Sequence, residues 1–251
     1  MFLAVDAGNS NIVLGIYRDN EWIQVWRIET EKDKGKDDYK SKFISLFEQA
    51  DISPNSIKQS MIACVVPHLT IHLEGALKQL TGTDPFILTH NTDTGISLEA
   101  DNPKEIGPDL IAGAVGGFYK AKNTCIVIDF GTATTLIAVK SPGRLIGGVI
   151  CAGLKITHDA LVNKTVLLGD ISLKAPENVL AHGTVEAMQS GLVLGHACMV
   201  EGLISRIKNE IGEAKVIATG GLAEALAPHV ESFDLVEPLL PLDGMRYICE
   251  K

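Results

Sequence analysis

Apolar positions along this chain come in short runs of strand length, and the order of those runs repeats. Residues 2–6, 12–17 and 22–28 are alternating or wholly apolar, as half-buried or fully buried strands are. The stretch 38–50 sets Tyr39, Phe43, Leu46 and Phe47 on one face at helical spacing and predicts an amphipathic helix. A buried strand at 60–66 is expected to end at Pro67, followed by a helix at 68–80 and short extended pieces at 85–89 and 95–99. Pro108, a favoured first-turn residue, opens a helix expected to run through Ala121. The second half starts over, with strands at 124–129, 134–139 and 144–151 and a short helix at 154–161. Thr184 can cap a long helix reaching about residue 210. A strand at 216–219 leads into Gly220-Gly221 and a short helix, and 233–236 reads as the last strand. Strands first, then alternating helix and strand, twice over, predict two mixed α/β domains with a cleft between them.

The repetition is sharpest in one motif. Residues 2–17 read FLAVDAGNSNIVLGIY and residues 125–139 read CIVIDFGTATTLIAV. Asp6 aligns with Asp129, Gly8 with Gly131 and Asn9 with Thr132, at about half-chain offset. A glycine-rich turn after a carboxylate lets backbone N–H groups approach a phosphate, and the carboxylate can hold the accompanying cation. One Asp-Gly turn between strands is an ordinary hairpin. Two in register indicate a duplicated architecture and a nucleotide clamp.

Composition narrows the partners. The chain has 251 residues, enough for one large domain or two of ordinary size, and is 46% hydrophobic. Its formal charge of −9, without a long basic run, argues against nucleic acid and anionic membranes. The mixed-sign stretch 29–40 reads as a solvated loop. No apolar run approaches the roughly 18 residues of a membrane span, and Met1 leads straight into a strand without a signal peptide. Five scattered cysteines, none in a C-x-x-C pair, suit reduced cytosolic thiols.

Two acidic residues stand out as candidates. Asp6 can hold Mg²⁺, directly or through water, while the turn at 7–11 approaches phosphates through its N–H groups. No G-x-x-x-x-G-K-[ST] loop is present, which favours a cation-assisted clamp over a P-loop enzyme. Asp109 lies in the first turn of a helix, where the N-terminal dipole favours an ionised carboxylate. Such a residue can simply stabilise the helix end; within reach of an alcohol it can also accept a proton. His68 and His72, four apart, lack an H-E-x-x-H pattern and read as surface or partly buried histidines.

With Thr219-Gly220-Gly221 as a third turn, the arrangement resembles the actin, sugar-kinase and heat-shock ATPase superfamily. Asp6-Ala7-Gly8-Asn9-Ser10, Asn102-Pro103 with Gly107-Pro108-Asp109, Asp129-Phe130-Gly131-Thr132-Ala133-Thr134-Thr135, Gly147-Gly148, Thr184 and Thr219-Gly220-Gly221 follow the order seen in type III pantothenate kinases. The resemblance covers nearly the whole chain. It implies an α/β fold of two duplicated ribonuclease-H-like domains, 1–115 and 116–251, with a nucleotide cleft between them. The implied activity is ATP-dependent phosphorylation of pantothenate to 4'-phosphopantothenate, the first step of coenzyme A biosynthesis, by a cytoplasmic homodimer. The resemblance makes Asp109 the catalytic base and assigns Asp6, Ala7, Gly8, Asn9, Ser10, Asn11, Ile12, Val13 and Thr132 to ATP. It assigns Gly107, Pro108, Asp109, Leu110 and Thr184 to pantothenate, Thr184 reaching it from the neighbouring protomer. Asp6 holds Mg²⁺ in this reading, and Asp129 a monovalent cation, K⁺ or NH₄⁺.

The chain departs from the family pattern in three places. Leu110 stands where the family usually has Arg, Ala100 where it has Tyr, and Ala152 where it has Pro. An aliphatic chain cannot replace the donors and charge of a guanidinium. Two other readings therefore stand beside the first: a non-catalytic nucleotide-binding relative with a regulatory role, and a kinase of another small hydroxylated substrate.

Overall fold

The computed structural model describes residues 1–251, which divide into two compact units. The first comprises 1–116 and 241–251, the second 117–240. The first unit holds β1 (Phe2–Ala7), β2 (Asn11–Arg18), β3 (Glu21–Glu29), α1 (Lys36–Gln49), β4 (Gln59–Cys64), α2 (Pro67–Thr81), β5 (Phe86–Ile87) and β6 (Ser97–Leu98). The helix α3 (Pro108–Ala121) carries the chain onward. The second unit holds β7 (Cys125–Phe130), β8 (Ala133–Lys140), β9 (Arg144–Ala152), α4 (Leu154–Lys164), α5 (Thr184–Gln189), a π-helical turn (Ser190–Leu194), α6 (Gly195–Ile211), β10 (Lys215–Thr219), α7 (Ala223–Leu226) and β11 (Leu235–Val236). The last helix is α8 (Leu240–Glu250).

The duplication seen in one motif extends to both sheets. In the first unit the strands run β3-β2-β1-β4-β5, with β1 antiparallel to β2 and parallel to β4. Five strands of the six-stranded second sheet, in the order β9-β8-β7-β10-β11, repeat this, with β7 antiparallel to β8 and parallel to β10. Even the irregularity recurs. The β2–β3 ladder shifts register after Ile16, which pairs with Leu3, and the β8–β9 ladder shifts after Ala138, which pairs with Ile126. Ile23 and Ile146 are the extra residues passed over. A bulge bends its strand and increases the local twist, so each hairpin curves at the same place.

Alternation along the strands sorts the two faces. Leu3, Val5, Ile12, Leu14 and Ile16 turn to one face and meet Tyr39, Phe43 and Phe47 of α1 and Leu69, Leu73 and Leu77 of α2. In the second unit Ile126, Ile128, Phe130 and Leu136 meet Val193, Ala197, Val200 and Ile204. Each such fully buried side chain contributes about 1.5–3 kcal/mol. The opposite faces carry Asp6 and Asp129.

Three expectations need correction. No helix was expected after 236, and 116–251 was assigned to one domain; α8 instead packs in the first unit. Trp22 Nε1 donates to Asp243 Oδ1 at 2.9 Å, Arg246 lies 4.7 Å over the Tyr17 ring, and Leu242 with Trp22 fills the space over Gly15. Thr184 is not a helix cap: Gly183 is the capping residue, with no side-chain cap bond, and Thr184 is the exposed first residue of α5. The long second-half helix is also interrupted by the π-turn at Ser190–Leu194.

By length and composition, residues 184–211 form one helix apolar enough to cross a membrane. Its apolar face is accounted for inside the unit, where Leu192, Val193, Ala197, Val200 and Ile204 join the core.

Candidate active site

In the first unit, β1 delivers Asp6 to the end of the sheet and the chain turns back through Gly8, Asn9 and Ser10. Gly8 N donates to Asn11 O at 2.9 Å and closes the turn. Thr30 braces it: its hydroxyl donates to Gly8 O at 2.9 Å, and its N–H to Ser10 O at 3.0 Å. Lys32 Nζ lies 3.4 Å from Asn9 Oδ1. These two residues come from the stretch read as a solvated loop, yet Thr30 is buried and fixes the carbonyls of the turn. Asn9, Ser10 and Asn11 are exposed, Ala7 and Ile12 are buried, and Val13 pairs with Asp6.

The same end of that sheet carries Asp109. Val65 N donates to Ala7 O at 3.0 Å, and the Val65 side chain lies against Gly107. Asn102 Nδ2 donates to Glu105 Oε1 at 2.7 Å across the 3₁₀ turn Pro103–Glu105 that leads there. Pro108 begins α3, Asp109 follows in its first turn, and Gly107 O receives Ile111 N at 3.1 Å. The Asp109 carboxylate folds back over Gly107, and its Oδ1 accepts the Leu110 N–H at 2.7 Å. Burial raises the Asp109 carboxyl above the usual carboxylate range, and the N–H groups of Leu110 and Asp109 oppose this in part. Cys64, opposite Ala7, is held protonated by burial, with the Asp6 charge adding to the effect. It does not serve as a thiolate nucleophile.

In the second unit, β7 presents Asp129 and the chain turns through Gly131 and the exposed Thr132, with Gly131 N donating to Ala133 O at 3.1 Å. Gly153 packs so closely on this turn that a Cβ there would lie 2.9 Å from Gly131 O. The turn after β10 approaches from the other side. Gly220 has φ +91°, and a Cβ on it would overlap Asp129 Oδ1 and stand 2.7 Å from Phe130 N. The three turns singled out in the sequence thus fall into two clusters, one around Asp6 and Asp109 and one around Asp129. No three His, Cys, Asp or Glu side chains group as metal ligands, and His68 Nε2 pairs with Lys32 O. Burial pushes the Cys125 thiol up to about 12 and Cys249 to about 11, so both stay protonated.

Solved structures with this architecture include component A of the Acidaminococcus fermentans (R)-2-hydroxyglutaryl-CoA dehydratase, at TM-score 0.56 and 15% identity over 98% of this chain and 95% of that one. MreB 5 of Spiroplasma citri, solved with AMPPNP, matches at TM-score 0.56 and 10% identity over 98% and 94%. The duplicated mixed α/β sheets share their fold with these two proteins. The sequence model of the type III pantothenate kinases matches residues 2–206. Type III pantothenate kinases of Exiguobacterium sibiricum and Citrifermentans bemidjiense are 38% and 40% identical, each over 100% of this chain and 99% of theirs. The chain belongs to the type III pantothenate kinase family.

Proposed function

We propose that this kinase transfers the γ-phosphoryl group of ATP to the primary hydroxyl of pantothenate, the first step towards coenzyme A, and that Asp109 is its base. The observation that carries the reading is the raised, positioned carboxylate of Asp109 on the same sheet end as Asp6. With Oδ1 held by the Leu110 N–H, Oδ2 takes the hydroxyl proton as the oxygen attacks phosphorus. Phosphoryl transfer asks little covalent chemistry of the protein beyond positioning and charge stabilisation. Gly8, Asn9, Ser10 and Asn11 cradle phosphates, Thr30 holding the carbonyls of the turn so that its N–H side meets the ligand. Ala7, Ile12 and Val13 frame this turn, and Thr132 contacts ATP. Gly107, Pro108 and Leu110 line the pantothenate side.

The donor sets suit the cations. Asp6 is flanked on its neighbouring strands by Val13 and Ala63, which offer no side-chain oxygen. A lone carboxylate fits Mg²⁺, which keeps several waters and binds through substrate phosphates. When bound, Mg²⁺ would neutralise charge on the β- and γ-phosphoryl oxygens. Asp129 is the ligand of a monovalent cation, K⁺ or NH₄⁺. The enzyme works in the cytoplasm as a homodimer, with Thr184 reaching the partner's pantothenate. Support for the dimer comes from exposed apolar side chains concentrated in the second unit: Ile150, Val166, Leu167, Val179, Leu180 and Val185. Light scattering is expected to give twice the chain mass of 26.9 kDa; a monomer at micromolar concentration would contradict it.

Steady-state kinetics test the activity. With Mg²⁺ and K⁺ present, ATP consumption is expected to depend on added pantothenate and saturate with it. ATP turnover that ignores pantothenate, or none at all, would contradict the assignment.

A further inference from the structure

The repeat copies the aspartate but not its neighbours, and we infer that Thr135 and Thr219 are the protein's additional ligands to a monovalent cation at Asp129. This rests on the reading of Asp129 as a cation ligand and adds the residues that make its site unlike that of Asp6. In the second sheet Thr219 pairs with Asp129, and Asp129 with Thr135. Paired residues on adjacent strands share a face and stand about 4.8 Å apart, so a carboxylate sits between two hydroxyls in one row. The corresponding row in the first sheet is Ala63, Asp6 and Val13.

Both hydroxyl oxygens, Thr135 Oγ1 and Thr219 Oγ1, are buried without a hydrogen-bond partner, and Thr219 is only 1% exposed. Buried polar groups in native proteins are nearly always satisfied, so two such oxygens around one carboxylate point to a ligand they both serve. A phosphate is disfavoured there by repulsion from the ionised Asp129. A soft transition metal is disfavoured because every donor is a hard oxygen. One carboxylate with two neutral hydroxyls has a single negative charge, which a singly charged cation balances. Mg²⁺ demands tight octahedral geometry at about 2.0–2.1 Å and sheds water reluctantly, a poor match for hydroxyls set apart by the strand spacing. The Gly220 turn closes over the carboxylate from one side, so the row is a confined site and not an open rim.

The test is thermal unfolding of cation-free protein, titrated with KCl against choline chloride at constant ionic strength. Wild-type protein is expected to gain stability with K⁺, and Asp129→Asn to lose that gain. Thr219→Val and Thr135→Val are near-isosteric and should each weaken the apparent K⁺ affinity by about tenfold or more. Without cation their melting temperatures should equal or exceed that of wild type, because each removes an unpartnered buried hydroxyl. Thr219→Ser and Thr135→Ser, which keep the hydroxyl, should keep the K⁺ response. A wild-type K⁺ response in both valine variants, alongside its loss in Asp129→Asn, would overturn the inference and leave the role of Asp129 standing. No K⁺ response in wild-type protein would overturn both. Valine variants that are less stable without cation yet respond normally to K⁺ would assign the threonines a purely structural role and overturn the inference.

Discussion

Replacing Asp109 with asparagine is expected to slow pantothenate phosphorylation about 10²–10⁴-fold while raising the melting temperature at neutral pH. Both effects come from the same environment. Burial holds the folded-state pKa of Asp109 above its ordinary value of 3.8, against the opposing N–H groups of Leu110 and Asp109. Folding therefore favours the protonated carboxyl. Its stabilising contribution is complete below the unfolded pKa and is lost as pH rises through the folded one. At neutral pH the ionised group is a liability for stability, and asparagine removes that charge. The catalytic need runs the other way, since a base must be ionised to accept a proton. The acid limb of kcat/KM should accordingly fall at a pH above that of an ordinary aspartate and vanish from the residual activity of the variant. ATP affinity should change little. If Asp109 only stabilised the start of α3, the variant would instead lose stability and keep its turnover.

Gly220→Ala is expected to damage the other cluster. At φ +91° a residue with a side chain is strained by about 1–3 kcal/mol. Its Cβ would also overlap Asp129 Oδ1 and press on Phe130 N and C, at 2.7 and 2.8 Å. The backbone of β7 cannot yield as a flexible side chain could, so the turn or the carboxylate must move. For a chain of this size the strain alone lowers the melting temperature by roughly 2–12 °C. Displacing Asp129 should also abolish stabilisation by K⁺, which calorimetric scans with and without the ion would read. A variant of unchanged stability that still responds to K⁺ would refute the close packing of Gly220 on Asp129.

The sequence made most of the framework legible because the strands that carry the site are short, apolar and punctuated by glycine. Both Asp-x-Gly turns and the helix beginning at Pro108 fall where the pattern put them. The rest depended on contacts that no local pattern encodes. α8 begins with Leu240-Pro241 and contains Gly244, both weak helix signals, and its anchoring bond joins Asp243 to Trp22, 221 residues away. Thr30 and Lys32 were hidden in a run of charges, where only the fold shows that they brace the Gly8–Ser10 turn. Thr184 has the chemistry of a cap, but the helix starts one residue earlier than a threonine cap would require, with Gly183 outside it. The partnership of Thr135 and Thr219 with Asp129 needs the strand order β10-β7-β8, which the motifs alone do not reveal.

The proposed cation roles would give one repeated motif two tasks. Asp6 and Asp129 occupy equivalent places on equivalent sheets. What separates them is the neighbouring strand, aliphatic around Asp6 and hydroxylated around Asp129. The proposed pantothenate side lies elsewhere, at Gly107–Leu110, where an aliphatic Leu110 follows the proposed base Asp109.

The central claim is that pantothenate is the acceptor, and a competition experiment tests it most directly. Purified protein is incubated with ATP, Mg²⁺ and K⁺ and an equimolar mixture of pantothenate and other small hydroxylated acids and sugars, and the products are weighed by mass spectrometry. Pantothenate alone is expected to gain one phosphoryl group, and none should gain it with Asp109→Asn at matched times. Phosphorylation of a different member of the mixture, or none while calorimetry still registers ATP binding, would contradict the account.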